Sequence, residues 1–268
     1  MKRAELVSNI HARKSFLCVG LDPELSKIPA HLLDTEDPVF EFNRQIIDAT
    51  REFCVAYKPN LAFFEALGPA GWISFERTVK HIGHSHFVIA DAKRGDIGNT
   101  SRMYADAFFN RYGCDAVTVA PYMGEDSLSP FLESPDKWAV VLALTSNKGS
   151  NNFQRLQLDK SGPLWETVLR ETARWGTPEN MMFVIGATHP DAFARVREIV
   201  PEHFLLVPGI GAQGGDLAST CRYGLNRDTG LLINSSRGII YADSSIHFAE
   251  KAAEEARKLQ IEMASYLG

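Results

Sequence analysis

The chain has 268 residues, 45% of them hydrophobic and 23% charged, with a formal net charge of -5 at pH 7. This is ordinary globular composition, long for one domain but normal for an α/β barrel of about 250 residues. The acidic balance argues against a nucleic-acid footprint or a polybasic membrane patch, and no apolar run approaches the roughly 18 residues that a membrane span requires.

The first stretch, MKRAELVSNIHARKSF, is basic but lacks a continuous apolar core, so it reads as an amphipathic helix covering the barrel rather than a signal peptide. Short apolar runs bounded by turn residues then alternate with longer helical patterns. The strand candidates are Phe16–Leu21, Val55–Lys58, Phe87–Ala90, Ala116–Ala120, Ala139–Leu144, Met182–Gly186, Phe204–Val207 and Leu231–Asn234. Helical patterns follow at Pro38–Phe53, Pro69–Ile82, Ile97–Tyr112, Ser127–Leu132, Pro163–Trp175, Pro190–Val200, Gly215–Tyr223 and Ala242–Leu259. A strand followed by a helix, repeated to the end without a linker, is the (β/α)8 pattern of a TIM barrel, here one domain over residues 1–268. The near-continuous apolarity of the strands fits a parallel sheet buried on both faces. Thr145–Ser161 is the longest polar connection and the best candidate for a mobile loop. Cys18, Cys54, Cys114 and Cys221 stand singly, which suits buried thiols in a reducing compartment, and the cytoplasm is the expected location.

The stretch HFVIADAKRGDIGNT, residues 86–100, carries the densest charge cluster next to an apolar run. Alternate side chains of a strand share a face, so Asp91 and Lys93 point together, with Asp96 just beyond. Taken alone this could be a solvated turn. In a barrel, however, all strand ends meet at one mouth, where such folds place their chemistry. Strand 1 ends at Asp22, strand 2 carries Lys58, strand 5 runs into Ser146, strand 7 into Pro208-Gly209 and strand 8 into Ser235-Ser236-Arg237. Five strand ends feeding charged or polar groups to one mouth define a site.

These residues resemble the orotidine 5'-phosphate decarboxylase family. Its Asp-x-Lys-x-x-Asp signature stands here as Asp91-Ala92-Lys93-Arg94-Gly95-Asp96. VGLDP at 19–23, YKPNLAFFE at 57–65, TSNKG at 145–149, IGATHP at 185–190, PGIGAQGGD at 208–216 and SSRGI at 235–239 look like family blocks in family order. The longer chain and the wording of YKPNLAFFE resemble the branch seen in mycobacterial and some other bacterial enzymes. The resemblance implies decarboxylation of orotidine 5'-phosphate to uridine 5'-phosphate, the last step of de novo pyrimidine synthesis, by a homodimer with shared sites and without cofactor or metal. It implies an alternating network of Lys58, Asp91, Lys93 and Asp96, with Asp96 reaching into the partner subunit's site. By the same resemblance, Asp22 and Lys58 contact the ribose, Ile97 and Thr100 accompany Asp96 across the interface, and Ser146 reads the pyrimidine edge. Pro208 and Gln213 come from the strand-7 end and its closing loop; Arg237, the Ser236 backbone and a helix N-terminus hold the phosphate. Segments 121–135 and 150–161 are assigned no role.

Two other patterns carry less weight. GIGAQG at 209–214 matches G-x-G-x-x-G but sits at strand 7, and the next strand ends in Asn234 rather than an acid, so phosphate-loop or lid use fits better than dinucleotide binding. His81, His84 and His86 form a tempting metal cluster. They lie between helix and strand on the face opposite the mouth, which reads as a solvated helix end. Two rivals share the barrel: a Mg²⁺-dependent sugar-phosphate decarboxylase or aldolase, against which Lys58 counts, and a non-catalytic nucleotide-binding barrel.

Overall fold

Each expected strand is apolar on both faces because helices cover the outside of the sheet while its own side chains fill the inside. The structure is a computed structural model that describes residues 1–159, 162–188, 190–210 and 215–267. The strands are β1 (Leu17–Leu21), β2 (Ala56–Pro59), β3 (Phe87–Arg94), β4 (Ala116–Val119), β5 (Trp138–Leu144), β6 (Met181–Ile185), β7 (Phe204–Pro208) and β8 (Leu231–Ser235). They pair in parallel and close into a barrel, with β8 hydrogen-bonded back to β1. The register sets Gly20 beside Lys58 and Val19 beside Ser235, so the polar residues at the strand ends collect at one rim.

The other end is sealed. Trp138 of β5 is fully buried and meets Phe87 of β3 and Phe204 of β7 edge-on, at 5.8 and 6.2 Å between ring centres. These rings come from alternate strands, as barrel layers do. The N-terminal helix, Arg3–Arg13, closes this floor as expected. Arg3 donates to the carbonyls of Pro178 and Glu202 at 2.8 and 2.6 Å and pairs with Asp228 at 3.0 Å. Arg13 donates to the Arg51 carbonyl at 2.8 Å. All four acceptors precede a strand, so the helix covers the end opposite the mouth.

Four segments differ from expectation. β3 continues through Arg94 instead of stopping at Ala90, because Ala120 N–H donates to the Arg94 carbonyl at 2.8 Å and Arg94 pairs with Val119 across an irregular register. The helix expected over 97–112 is α-helical from Gly98 to Asp106, then widens to a π turn over Ala107–Arg111. The last helix, expected over Ala242–Leu259, starts only at Phe248 and runs to Ala264, and a separate helical turn at Arg237–Ile240 precedes it. Between them, Asp243 and Ser245 accept from the backbone N–H groups of Ser245 and His247, and such local bonds compete with helix. The connection after β5 folds back on itself, with a 3₁₀ stretch at Lys148–Asn152 and Gln157–Leu158 laddered to Gly162–Pro163.

The histidine reading also needs correction. His84 is exposed and His81 pairs with Asp48 at 2.7 Å, but His86 is buried. Its Nε2–H donates to the Arg51 carbonyl at 2.8 Å and its ring lies 5.2 Å from Tyr57. Burial pushes its pKa down to about 4, so it is a neutral structural group at physiological pH. Among the described residues, no group of three or more His, Cys, Asp or Glu side chains is placed to hold a metal ion.

Candidate active site

Lys58 lies at the end of β2 and Asp91 enters the irregular end of β3, next to β2 in the barrel. The Lys58 ammonium donates to Asp91 Oδ2 at 2.8 Å, and the Lys93 ammonium to Asp91 Oδ1 at 2.6 Å. Strand alternation does not by itself bring Lys93 here: its backbone is left-handed, with φ of 49°, a conformation uncommon for a residue with a side chain. Thr118 of β4 stabilises it, its Oγ accepting from Lys93 N–H at 2.8 Å and donating to Asp91 Oδ1 at 3.0 Å. Arg94 anchors the next residue by pairing with Glu65 and lying over the rings of Tyr104 and Phe108 at 5.3 and 5.6 Å.

The three charges differ in exposure. The Lys58 and Asp91 side chains are 6% and 11% exposed, that of Lys93 52%. Burial on its own would raise the Asp91 carboxyl, but the Lys58 and Lys93 ammoniums outweigh it and hold the group well below the usual carboxylate range. Burial would likewise lower Lys58, yet the carboxylates of Asp91 and Asp22 outweigh it and raise the ammonium above its ordinary value. The result is an anion fixed between two cations, one sealed in the barrel and one open to the mouth.

Beside β2 on the rim, Ser236 Oγ after β8 donates to Asp22 Oδ2 after β1 at 2.7 Å. Asp22 Oδ1 is buried with no hydrogen-bond partner among the described residues. Tyr241 sets the Asp22 backbone, its hydroxyl donating to the Asp22 carbonyl at 2.6 Å and accepting from Glu24 N–H at 2.7 Å. A Cβ on Gly20 would come within 2.7 Å of Ser236 Cβ, so only glycine lets β1 pass the Ser236 side chain. Arg237 is exposed at the start of the turn after β8.

The expected site residues thus fall into groups. Lys58, Asp91 and Lys93 are bonded together, and Asp22 and Ser236 follow β1 and β8, next along the rim from β2. Ser146 and Pro208 stand at the ends of β5 and β7, both partly buried. Asp96 is not joined to the lysines; its Oδ1 accepts from Ile97 N–H at 2.8 Å. Ile97 and Thr100 are exposed. Gln213 lies outside the described residues. Thr118 and Tyr241 escaped sequence reading. Thr118 left one signal, a polar residue inside the apolar run of β4; Tyr241 left none, because its bonds span more than 200 residues of chain.

A closed parallel (β/α)8 barrel with a Lys–Asp–Lys network at its C-terminal mouth is the architecture of a barrel enzyme. Residues 15–252 match the model of the orotidine 5'-phosphate decarboxylase / HUMPS family. The chain is 58% identical over 266 residues to an orotidine 5'-phosphate decarboxylase of Phocaeicola vulgatus, covering 98% of both chains. Among solved structures, the OMP decarboxylase of Leishmania donovani superposes with a TM-score of 0.83 at 39% identity, over 97% of this chain and all of that one. The UMP synthase of the same organism matches with a TM-score of 0.82 at 41% identity, and there this chain spans 56% of the larger protein. The chain belongs to the orotidine 5'-phosphate decarboxylase / HUMPS family.

Proposed function

We infer that the chain is a carboxy-lyase that converts orotidine 5'-phosphate to uridine 5'-phosphate and CO2, with Lys93 as the group that meets the developing charge. The bond between C6 and its carboxylate breaks, CO2 leaves, and the electron pair remains on C6 with no adjacent carbonyl to receive it. Such a carbanion calls for a fixed positive charge where it forms. Lys93 is the one member of the Lys–Asp–Lys network that opens toward the mouth, and this observation carries the reading. Its ammonium stabilises C6 and then delivers the proton, acting as general acid. Asp91 and Lys58 orient Lys93; Asp91 keeps its ammonium near the reacting carbon, and Lys58 keeps Asp91 ionised.

Asp22, with one buried oxygen lacking a donor, accepts from one ribose hydroxyl, and the Lys58 ammonium donates to another. Ser146 meets the pyrimidine edge, and Pro208 and Gln213 belong to the wall and closing loop. Arg237 and the Ser236 backbone hold the phosphate; because the helix after β8 is a single turn, the guanidinium carries most of that task. Phosphate binding far from C6 supplies energy for closing the site.

The working unit in this reading is a homodimer. The Asp96 carboxylate bonds the Ile97 N–H rather than its own lysines, and Ile97 and Met103 nearby are 56% and 55% exposed, an apolar surface suited to a partner. Asp96, Ile97 and Thr100 then complete the partner's site. Four buried free cysteines fit a cytoplasmic setting, and no helix among the described residues is long and apolar enough to cross a membrane.

The deciding experiment is the loss of orotidine 5'-phosphate absorbance on adding purified protein with EDTA present. Turnover with EDTA is expected. Activity that vanishes with EDTA and returns with Mg²⁺ supports the metal-dependent rival, and binding of uridine 5'-phosphate without turnover supports a non-catalytic barrel.

A further inference from the structure

The Gln154 side chain ties the segment after β5 to the mouth. Gln154 Oε1 accepts from the Thr145 backbone N–H at 2.8 Å, and Gln154 Nε2 donates to Thr145 Oγ1 at 2.9 Å. The Thr145 hydroxyl in turn donates to Asn147 Oδ1 at 2.6 Å. A backbone N–H can only donate, so the orientation of the Gln154 amide is determined. The Gln154 backbone is itself fixed to the barrel wall, its carbonyl accepting from Trp165 N–H at 2.8 Å.

Packing contributes little to holding this segment. A cavity of about 400 Å³ lies behind it, lined by Pro121, Leu142, Phe153, Leu164, Trp165 and Val168, and Phe153 is 68% exposed. Polar bonds therefore carry the placement that a filled core supplies elsewhere. On its other side Ser146 is pressed against β6: a Cβ on Gly186 would sit 2.7 Å from Ser146 N. The Ser146 backbone is thus gripped between Gly186 and a threonine that Gln154 holds by two bonds.

We propose that Gln154 is a positioning residue that sets the Ser146 hydroxyl for the edge of the pyrimidine, which gives the segment around residues 150–161 a role in base recognition. The proposal rests on the reading of Ser146 given above. It predicts an effect confined to ligands that carry a base.

The test is the binding of uridine 5'-phosphate and of ribose 5-phosphate to the wild type and to the Gln154→Leu, Gln154→Glu and Ser146→Ala variants, with thermal unfolding midpoints measured in parallel. Loss of two hydrogen bonds beside the contact is expected to weaken uridine 5'-phosphate about tenfold in Gln154→Leu while ribose 5-phosphate stays within about twofold. Gln154→Glu, which keeps an oxygen for the Thr145 N–H, is expected to recover most of the affinity. If Ser146→Ala weakens uridine 5'-phosphate but Gln154→Leu does not, the positioning role is wrong and the Ser146 reading survives. If Ser146→Ala has no effect, that reading falls and this proposal with it. Equal losses for both ligands in Gln154→Leu mean a general collapse of the mouth and overturn the proposal.

Discussion

Replacing Asp91 by Asn removes the anion between two cations while keeping the volume of the side chain. In the wild type its oxygens lie 2.8 Å from the Lys58 ammonium and 2.6 Å from that of Lys93. With an effective dielectric constant of about 20, two unit charges at the Lys58 separation attract by roughly 6 kcal/mol. Desolvation offsets much of that attraction, and breaking a buried pair by removing one partner costs about 3–5 kcal/mol. Asp22 remains to share the Lys58 charge, and the half-exposed Lys93 is screened by water, so the expected loss of stability at pH 7 is about 2–4 kcal/mol. The sign of the pH dependence follows from the direction of each shift. Asp91 is depressed, so its contribution is complete above the unfolded carboxylate pKa of about 3.9 and fades as pH falls toward the folded value. Lys58 is raised, so its contribution is complete below the unfolded value of about 10.4 and is lost as pH rises through the folded one. The gap between wild type and variant is therefore flat from about pH 5 to 9 and narrows below about pH 4. Urea unfolding followed by tryptophan fluorescence at pH 3, 5, 7 and 9 measures it. A loss under about 1 kcal/mol at pH 7, the worth of an exposed ion pair, or a gap that widens between pH 5 and 3, refutes the reasoning.

Other substitutions separate chemistry from binding. Lys93→Ala is expected to abolish CO2 release yet cost less than about 1 kcal/mol of stability, because its ion pair is half exposed; appreciable remaining turnover sinks its role as proton donor. Equal amounts of inactive Lys93→Ala and Asp96→Ala proteins, allowed to exchange subunits, are expected to recover about a quarter of wild-type activity, since half the dimers then carry one intact site of two. No recovery despite demonstrated exchange argues against a shared site. Arg237→Ala removes a charge-assisted contact of about 1.5–3 kcal/mol, which corresponds to a tenfold to hundredfold weaker uridine 5'-phosphate with little change for uridine; equal losses for the two ligands contradict the phosphate clamp.

Much of this protein is legible in one dimension. Strand and helix order follow from apolar periodicity, a local property of the chain, and the expected strand boundaries fall within a residue or two of the observed ones except in β3. Asp91 and Lys93 stand out because two opposite charges at the end of an apolar run require partners, and the barrel pattern supplies the mouth in which Lys58 becomes one. Conformation and placement that depend on neighbouring strands were not legible. The left-handed backbone of Lys93 exists because Thr118, on the next strand, holds its N–H and the Asp91 carboxylate together. His86 reads as solvated beside its exposed neighbour His84, yet Tyr57 and the Arg51 carbonyl draw it into the core. Asp22 is set by a tyrosine more than 200 residues away, and the polar stretch after β5 is bound to the mouth by Gln154. Spacing along the chain determines which residues share a face or a strand end; strand pairing and barrel closure decide which of them come within hydrogen-bonding distance, because those bonds cross from one strand to the next and, at Asp22, join the two ends of the chain.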